Sequence, residues 1–146
     1  VKETQDAYDY LKRRSSKLIH FSFQTKVDKL PVMLNSSLYN WTIENLVKNG
    51  IDAMRGKGSI AIEIIPEGKF VNILIADTGH GISKSNYNSI FTPGFTSKKR
   101  GWGLGLSLVK RIVEEYHDGK IKVLSSGKEG TIMQISLKLE QYCVRM

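Results

Sequence analysis

The order of strand and helix patterns along the chain constrains its fold more than any other feature. Five segments have the pattern of β-strands: 18–25, 60–65, 70–76, 120–125 and 131–139. Three segments have helical spacing: a long one at 36–54, a short one at 83–91 and an amphipathic one at 104–116. Because strands and helices do not strictly alternate, we predict an α+β sandwich with helices on one face of a mixed, mostly antiparallel sheet.

Length and composition indicate a single globular domain. The chain has 146 residues, of which 40% are hydrophobic, enough for one sizeable core. No apolar run approaches the ~20 residues of a membrane span, and no signal peptide is visible. The single cysteine, Cys143, excludes an internal disulfide and fits a reducing compartment. Because the chain begins at Val1, we expect a fragment, with 1–17 as a connector and 18–146 as the domain.

The formal net charge of +8 raises the question of nucleic-acid binding. The lysines and arginines are spread along the whole chain, with one local cluster at 98–100. We attribute the spread charges to a solvated basic surface. A polyphosphate ligand would explain the cluster equally well, so we predict no direct nucleic-acid partner.

A glycine-rich run, Gly101-Trp102-Gly103-Leu104-Gly105-Leu106, joins this basic cluster to the helix pattern at 104–116. Glycines spaced two apart allow sharp turns and bring bare N–H groups close to a ligand. A helix that begins there adds unpaired N–H groups and the positive end of its dipole. The run therefore predicts an anion site, with phosphate as the usual anion. It matches neither the Rossmann nor the Walker pattern, so it does not identify the ligand alone.

The helix predicted at 36–54 carries small polar residues on one face. At about 100° per residue, Asn45, Asn49 and Asp52 fall within about 60° of each other, opposite the apolar residues. A solvated face usually carries Lys and Glu, which favour helices more than Asn and Asp do. Two asparagine carbonyls one turn apart suit a hard cation such as Mg²⁺ shared with phosphate. The solvated face and the cation site are equally good interpretations of this pattern alone.

A tight polar segment, Asp77-Thr78-Gly79-His80-Gly81, follows the strand predicted at 70–76. Turns of the Asp-x-Gly type are common without any function. The functional interpretation uses the carboxylate as an acceptor for the exocyclic amino group of adenine. Guanine has a carbonyl oxygen at that position and would be repelled, while Gly79 and Gly81 would leave room for a base.

Taken together, four blocks in order resemble a known family. The chain contains Asn45-Leu-Val-Lys-Asn49, Asp77-x-Gly79-x-Gly81, Phe91-Thr-Pro-Gly-Phe95-Thr-Ser-Lys98 and Gly101-x-Gly103-Leu-Gly105-Leu106. This series closely resembles the ATP-binding catalytic domain of sensor histidine kinases. These belong to the GHKL, or Bergerat-fold, superfamily, which includes gyrase-type and chaperone ATPases. The resemblance covers 18–139 and implies a two-layer Bergerat α/β sandwich.

The resemblance also implies roles for particular residues. Asn49 resembles the Mg²⁺ ligand, Asn45 a phosphate-side polar residue, and Lys98 a contact to the triphosphate; these three form the implied catalytic set. Asp77 resembles the adenine-recognising aspartate, and Thr131 a threonine that holds the adenine side through water. The loop 92–102 would be the ATP lid, for which we predict mobility without nucleotide. The whole implied ATP-binding set is Asn45, Lys48, Asn49, Asp52, Asp77, Gly79, Gly81, Ile82, Phe95, Thr96, Ser97, Lys98, Gly101, Trp102, Gly103, Leu104, Gly105, Leu106 and Thr131.

The activity implied by the family is transfer of the γ-phosphoryl group from Mg-ATP to a histidine on a separate dimerisation domain. This sequence contains no such acceptor box, so it would be a catalytic part without its acceptor. The resemblance implies that 1–17 is an N-terminal connector from an upstream dimerisation region and that 18–146 is the ATP-binding catalytic domain. A response regulator would be the further partner. We expect the isolated domain to be a monomer and the full-length protein a homodimer, with the domain in the cytoplasm and membrane anchoring of the parent protein left open.

Two departures from the family pattern keep alternatives open. Many members have a basic residue that contacts phosphate where Asp52 stands, and here Lys48 or Lys98 could substitute for it. The ATPase branch has a glutamate where Asn45 stands, whereas Glu44 is rotated by about 100° away from that site. This argues against a GHKL ATPase or an anti-sigma-type serine kinase. A non-catalytic nucleotide-binding adaptor is the third hypothesis, and Trp102 has no assigned role.

Overall fold

A computed structural model describes residues 1–14, 19–25, 32, 34–54, 57–92 and 105–139. Its five strands are β1 (Ile19–Thr25), β2 (Gly58–Glu67), β3 (Phe70–Asp77), β4 (Lys120–Gly127) and β5 (Gly130–Lys138). They form one sheet in the order β1-β2-β3-β5-β4. The β1–β2 pair is parallel and the other three pairs are antiparallel. The predicted mixed, mostly antiparallel sheet is therefore confirmed.

Alternation along the strands gives the sheet one apolar face. In β2 the side chains of Ile60, Ile62 and Ile64 are buried, while their neighbours along the strand are more exposed. The other strands follow the same rule, because successive side chains in a strand point to opposite faces. The helices cover the apolar face, and the core lies between the two layers.

The helices are α1 (Lys2–Arg14), α2 (Ser36–Ala53) and α3 (Gly105–Arg111). The predicted long helix is confirmed as α2. Its N-cap is Asn35, whose side-chain oxygen accepts a hydrogen bond from the N–H of Leu38 at 3.1 Å. Such a cap satisfies one of the N–H groups that a helix start leaves unpaired. In the described part of the chain, no helix has the length and apolar character needed to cross a membrane.

Two predicted helices differ in detail from the structure. The segment 83–91 forms two short 3₁₀ turns, Lys84–Asn86 and Ser89–Phe91, rather than one α-helix. After α3 the helix continues with π-type hydrogen bonding over Ile112–Tyr116. The ring of His117 connects the end of this helix to the start of α2. Its Nδ1 lies 3.1 Å from the carbonyl oxygen of Ile112, and its Nε2 accepts a hydrogen bond from the N–H of Asn35 at 3.0 Å.

The N-terminal helix α1 shares the core with the elements that follow it. Ala7, Tyr8 and Leu11 are buried, and the hydroxyls of Thr4 and Tyr39 are 2.6 Å apart. The predicted division of the chain at residue 17, with 1–17 as a connector, stays a prediction. Through the contact between Thr4 and Tyr39, α1 packs against α2, the helix that carries the predicted polar face.

Candidate functional site

Asp77 lies at the end of β3, between α2 and β5. It is the cross-strand partner of Thr131 in β5. On the α2 side it packs against Gly50, where an added Cβ would lie 3.0 Å from the Asp77 Cβ and 3.3 Å from its Oδ2. A side chain at position 50 would thus displace the carboxylate, so the glycine allows α2 to approach the end of β3 closely.

Hydrogen bonds hold the carboxylate of Asp77 in place. The N–H of Gly79 donates to Oδ1 at 2.8 Å, and the backbone of Thr131 donates to the same carboxylate. Burial raises the pKa of Asp77, and these two hydrogen bonds and the charge of His80 oppose that rise. A carboxylate has about four lone-pair sites, so capacity remains to accept a proton from a ligand amino group.

The turn after Asp77 is bound to the end of α2. The N–H of His80 donates to the carbonyl of Ala53 at 3.2 Å. A Cβ on Gly79 would lie 2.5 Å from the Cβ of Ala53 and 2.9 Å from its backbone. Gly81 has φ +83°, and a Cβ there would collide with the carbonyl of Gly127. Both predicted pocket glycines are therefore required by close backbone approach.

The predicted amide face of α2 is next to the start of α3. Asn45 and Asn49 are both half-buried. A Cβ on Gly105 would lie 3.0 Å from the Oδ1 of Asn45, so the first residue of α3 lies against this amide. The Nδ2 of Asn45 is 3.5 Å from the carbonyl of Trp41. The side-chain oxygens of these two asparagines are hard ligands of the type that Mg²⁺ prefers. The residues present therefore fit the predicted cation.

Some of the predicted site residues are among the described residues, and others are not. Lys48 and Asp52 are exposed on α2, and Ile82, Gly105 and Leu106 are half-buried. Phe91, the first residue of the third motif, is buried in the second 3₁₀ turn. The remaining predicted residues lie outside the described residues: Phe95, Thr96, Ser97, Lys98, Gly101, Trp102, Gly103 and Leu104.

Three residues near Asp77 did not enter the sequence prediction of the site. Gly50 lies on the face of α2 opposite the predicted polar residues by helical phase, yet it packs directly against the carboxylate. Gly130 has φ +126°, and a Cβ there would collide with the carbonyl of Asp77. Ser126 is hydrogen-bonded to Thr131 at 2.7 Å. The position of Gly130 just before Thr131 was a usable signal, whereas nothing local distinguished Ser126 from Ser125.

The raised pKa of Asp77 predicts a specific pH dependence of stability. Because the pKa is higher in the folded state than its ordinary value of 3.8, the folded state binds this proton more tightly. The contribution of Asp77 to stability is fully present below that ordinary value and is lost as pH rises through the folded-state pKa. We therefore expect the unfolding free energy of Asp77→Asn to increase relative to that of the wild type as the pH rises through this range. Urea unfolding at a series of pH values measures it, and a difference that does not vary with pH would contradict the assignment.

Comparison with known proteins agrees with this geometry. Residues 37–141 match the family described as histidine kinase-, DNA gyrase B- and HSP90-like ATPases. A putative NtrY-like sensor histidine kinase of Rickettsia felis is 30% identical over 125 residues, which is 84% of this chain and 21% of that protein. The sensor histidine kinase ZraS of Escherichia coli is 36% identical over 114 residues, covering 77% of this chain and 24% of ZraS. The chain thus spans less than a quarter of these relatives.

Solved structures give the same result over nearly the whole chain. The nucleotide-free catalytic domain of the histidine kinase ThkA superposes with a TM-score of 0.85 at 28% identity, covering 94% of this chain and 92% of that one. ThkA in complex with the response regulator TrrA superposes with a TM-score of 0.82 at 26% identity, covering 94% of this chain and 40% of that one. The chain therefore belongs to the family of histidine kinase-, DNA gyrase B- and HSP90-like ATPases, as an ATP-binding catalytic domain of the sensor histidine kinase type.

Proposed function

We propose that this domain binds Mg-ATP with the adenine at Asp77 and donates the γ-phosphoryl group to a histidine on a separate dimerisation domain. The observation that carries the proposal is the half-buried carboxylate of Asp77, which is fixed by Gly79 and Thr131 and retains acceptor capacity. Adenine offers an amino group to such an acceptor, whereas guanine offers a carbonyl oxygen. The glycines at 79 and 81 line the same turn.

The phosphate end of the nucleotide is assigned to the amide face of α2. Asn45 and Asn49 lie one helical turn apart, and Asn45 is against the first residue of α3. Asn49 is the proposed Mg²⁺ ligand, and Lys98 is the proposed contact to the triphosphate. When bound, Mg²⁺ would neutralise charge that develops on the phosphoryl oxygens. The protein residues would orient the triphosphate, which is the main requirement for phosphoryl transfer.

The residue at position 45 favours transfer to a protein over hydrolysis. A carboxylate at this point of the helix could take a proton from an attacking water, but the amide of Asn45 cannot. Glu44 is the adjacent residue and is rotated by about 100° around α2. We therefore expect slow hydrolysis by the isolated domain and rapid transfer when an acceptor histidine is supplied. Rapid hydrolysis without an acceptor would favour the ATPase alternative.

The partners are inferred from the relatives and from the chemistry. ThkA is described in complex with a response regulator, and we propose a response regulator as the downstream partner of the protein that contains this chain. The histidine acceptor would lie on a dimerisation domain joined through 1–17, which would make the full protein a homodimer. We assign the domain to the cytoplasm, where ATP is available.

Removing the proposed Mg²⁺ ligand tests the phosphate end of the site. We expect Asn49→Ala to weaken Mg-ATP binding by about tenfold, since a contact to a charged group contributes about 1.5–3 kcal/mol. Calorimetric titration of the isolated domain measures the affinity with Mg²⁺ and again with EDTA. The variant and the wild type should bind equally in EDTA, because only the metal-dependent part of the affinity is lost.

The matched control is Asn88→Ala, because Asn88 is exposed and its side chain makes no capping hydrogen bond. It should bind Mg-ATP as the wild type does. An Asn49→Ala variant that binds Mg-ATP with wild-type affinity would overturn the assignment of Asn49. A variant weakened equally with and without Mg²⁺ would overturn its role as a metal ligand.

A further inference from the structure

Two helical segments run antiparallel beside the phosphate end of the candidate site. At one end, the start of α3 lies against Asn45, since a Cβ on Gly105 would be 3.0 Å from the Oδ1 of that amide. At the other end, the N–H of Asn35 at the start of α2 donates to His117, which directly follows the π-helical turn Ile112–Tyr116. The two contacts lie roughly 15 Å apart along α2. The pair of helices is therefore fixed at the site and again at its far end.

The hydrogen bonds of His117 are compatible with only one protonation state of its ring. The backbone N–H of Asn35 can only donate, so Nε2 of His117 must present a lone pair. The carbonyl of Ile112 can only accept, so Nδ1 must carry the proton. Both bonds exist together only in the neutral ring that is protonated on Nδ1. A second proton, on Nε2, would oppose the N–H of Asn35 and break that bond, while the bond to Ile112 would remain.

The charged groups around His117 do not replace this link when the ring is protonated. The first turn of α2, which contacts the ring through Asn35, has no acidic residue. Glu115 is paired with Arg111 on their own helix at 2.9 Å. Between about pH 5 and pH 8, histidine is the side chain that ordinarily changes charge. The other charged residues close to His117 in the chain are Glu114, Asp118 and Lys120.

We propose that His117 is a positioning residue for the phosphate end of the site. In its neutral form it holds the start of α2 against the end of the neighbouring helix, which fixes Asn45 and Asn49 relative to the start of α3. Protonation of the ring releases this link and weakens the binding of Mg-ATP. The inference rests on the proposed binding of the phosphates at the amide face of α2. By reciprocity, bound Mg-ATP favours the neutral form of His117.

The test compares the pH dependence of Mg-ATP affinity in the wild type and in His117→Gln by calorimetric titration. Glutamine can accept the N–H of Asn35 through its amide oxygen, and it does not titrate. At about pH 8 the two proteins should bind equally well. At about pH 6 the wild type should bind about fivefold more weakly than the variant, the effect of losing one hydrogen bond. The matched control is His20→Gln, because His20 is exposed on β1, and it should keep the wild-type pH profile.

Nuclear magnetic resonance distinguishes this role from a general effect on stability. The amide signal of Asn35 should follow the titration of the His117 ring in the wild type and should not change over the same range in His117→Gln. Saturating Mg-ATP should move the midpoint of that titration to lower pH. His117→Ala has no link at any pH, so at about pH 8 it should bind Mg-ATP about fivefold more weakly than the wild type. If His117→Ala did not fold, the glutamine variant would carry the comparison.

Three results would overturn the inference while leaving the proposed function in place. They are equal pH profiles of Mg-ATP affinity in the wild type and in His117→Gln, an Asn35 signal that does not follow the ring titration, and a midpoint that Mg-ATP does not move. Each could be observed in a domain whose Mg-ATP binding is lost in Asn49→Ala, as the proposed function expects. A wild-type domain that binds no Mg-ATP at any pH would overturn the proposed function and this inference together.

Discussion

Replacing Asp77 by asparagine is expected to lower the affinity for Mg-ATP by about 100-fold. The variant exchanges an acceptor-only carboxylate for an amide that can present N–H groups toward the adenine amino group. A hydrogen bond to a charged group contributes about 1.5–3 kcal/mol, and each 1.4 kcal/mol is a factor of ten in affinity. Because Gly79 and Thr131 hold the carboxylate, the site is fixed and cannot turn to recover the contact. Calorimetric titration with Mg-ATP measures the loss.

The control for this prediction is Asp118→Asn. Asp118 is exposed and has φ +50°, a conformation that asparagine tolerates well. It removes the same charge from the chain without touching the candidate site, so its affinity should equal that of the wild type. Asp77→Asn should also stay folded, because burial of the charged carboxylate opposes folding at neutral pH. A folded Asp77→Asn variant with wild-type affinity would refute the assignment of adenine to Asp77.

Replacing Gly130 by alanine is expected to destabilise the fold by about 3 kcal/mol. Gly130 has φ +126°, and a Cβ there would collide with the backbone carbonyl of Asp77. Both the unfavourable dihedral and the contact with backbone must be relieved by movement of β3 against β5. For a domain of this size the loss corresponds to about 10 °C in Tm. Thermal unfolding followed by circular dichroism measures it, and ATP binding should weaken as well because Asp77 would move.

Gly127→Ala serves as the matched substitution in the same hairpin. A Cβ on Gly127 would meet nothing within 4 Å, and its φ is not in the left-handed region. We expect a change within about 0.5 kcal/mol, as for most surface substitutions. If the two alanine variants were equally stable, the contact between Gly130 and the end of β3 would not constrain the fold.

Most of the fold follows from local patterns. The strands at β2 and β3 were predicted because their apolar residues fit a half-buried sheet, and the structure extends them by only a few residues. The start of α2 is also predictable to within one residue, because both Asn35 and Ser36 suit a helix cap, and the structure uses Asn35. The segment 83–91 was less predictable, since its two 3₁₀ turns are set by packing of Ile90 and Phe91 into the core rather than by spacing.

The candidate site could be predicted where its residue types are unfavourable for the secondary structure that contains them. Two asparagines one turn apart in a helix, and an aspartate followed by alternating glycines, are poor choices for a merely structural segment. Gly50 was not recognised as part of the site, because a buried glycine in a helix can simply permit close packing. Its contact with Asp77 depends on how α2 crosses the end of β3, which no local pattern encodes.

The fold class, the family and the residue types that suit a nucleotide can be predicted from the amino-acid sequence, because they depend on local periodicity and on motifs in a set order. The set of residues that surround Asp77 depends instead on how the helices and strands pack. Gly50, Thr131 and Ser126 come from a helix and two strands that are distant along the chain. The choice of Ser126 over Ser125 depends on one extra residue in β4. A bulge is set by the pairing between strands, and that pairing is a property of the folded sheet rather than of either strand.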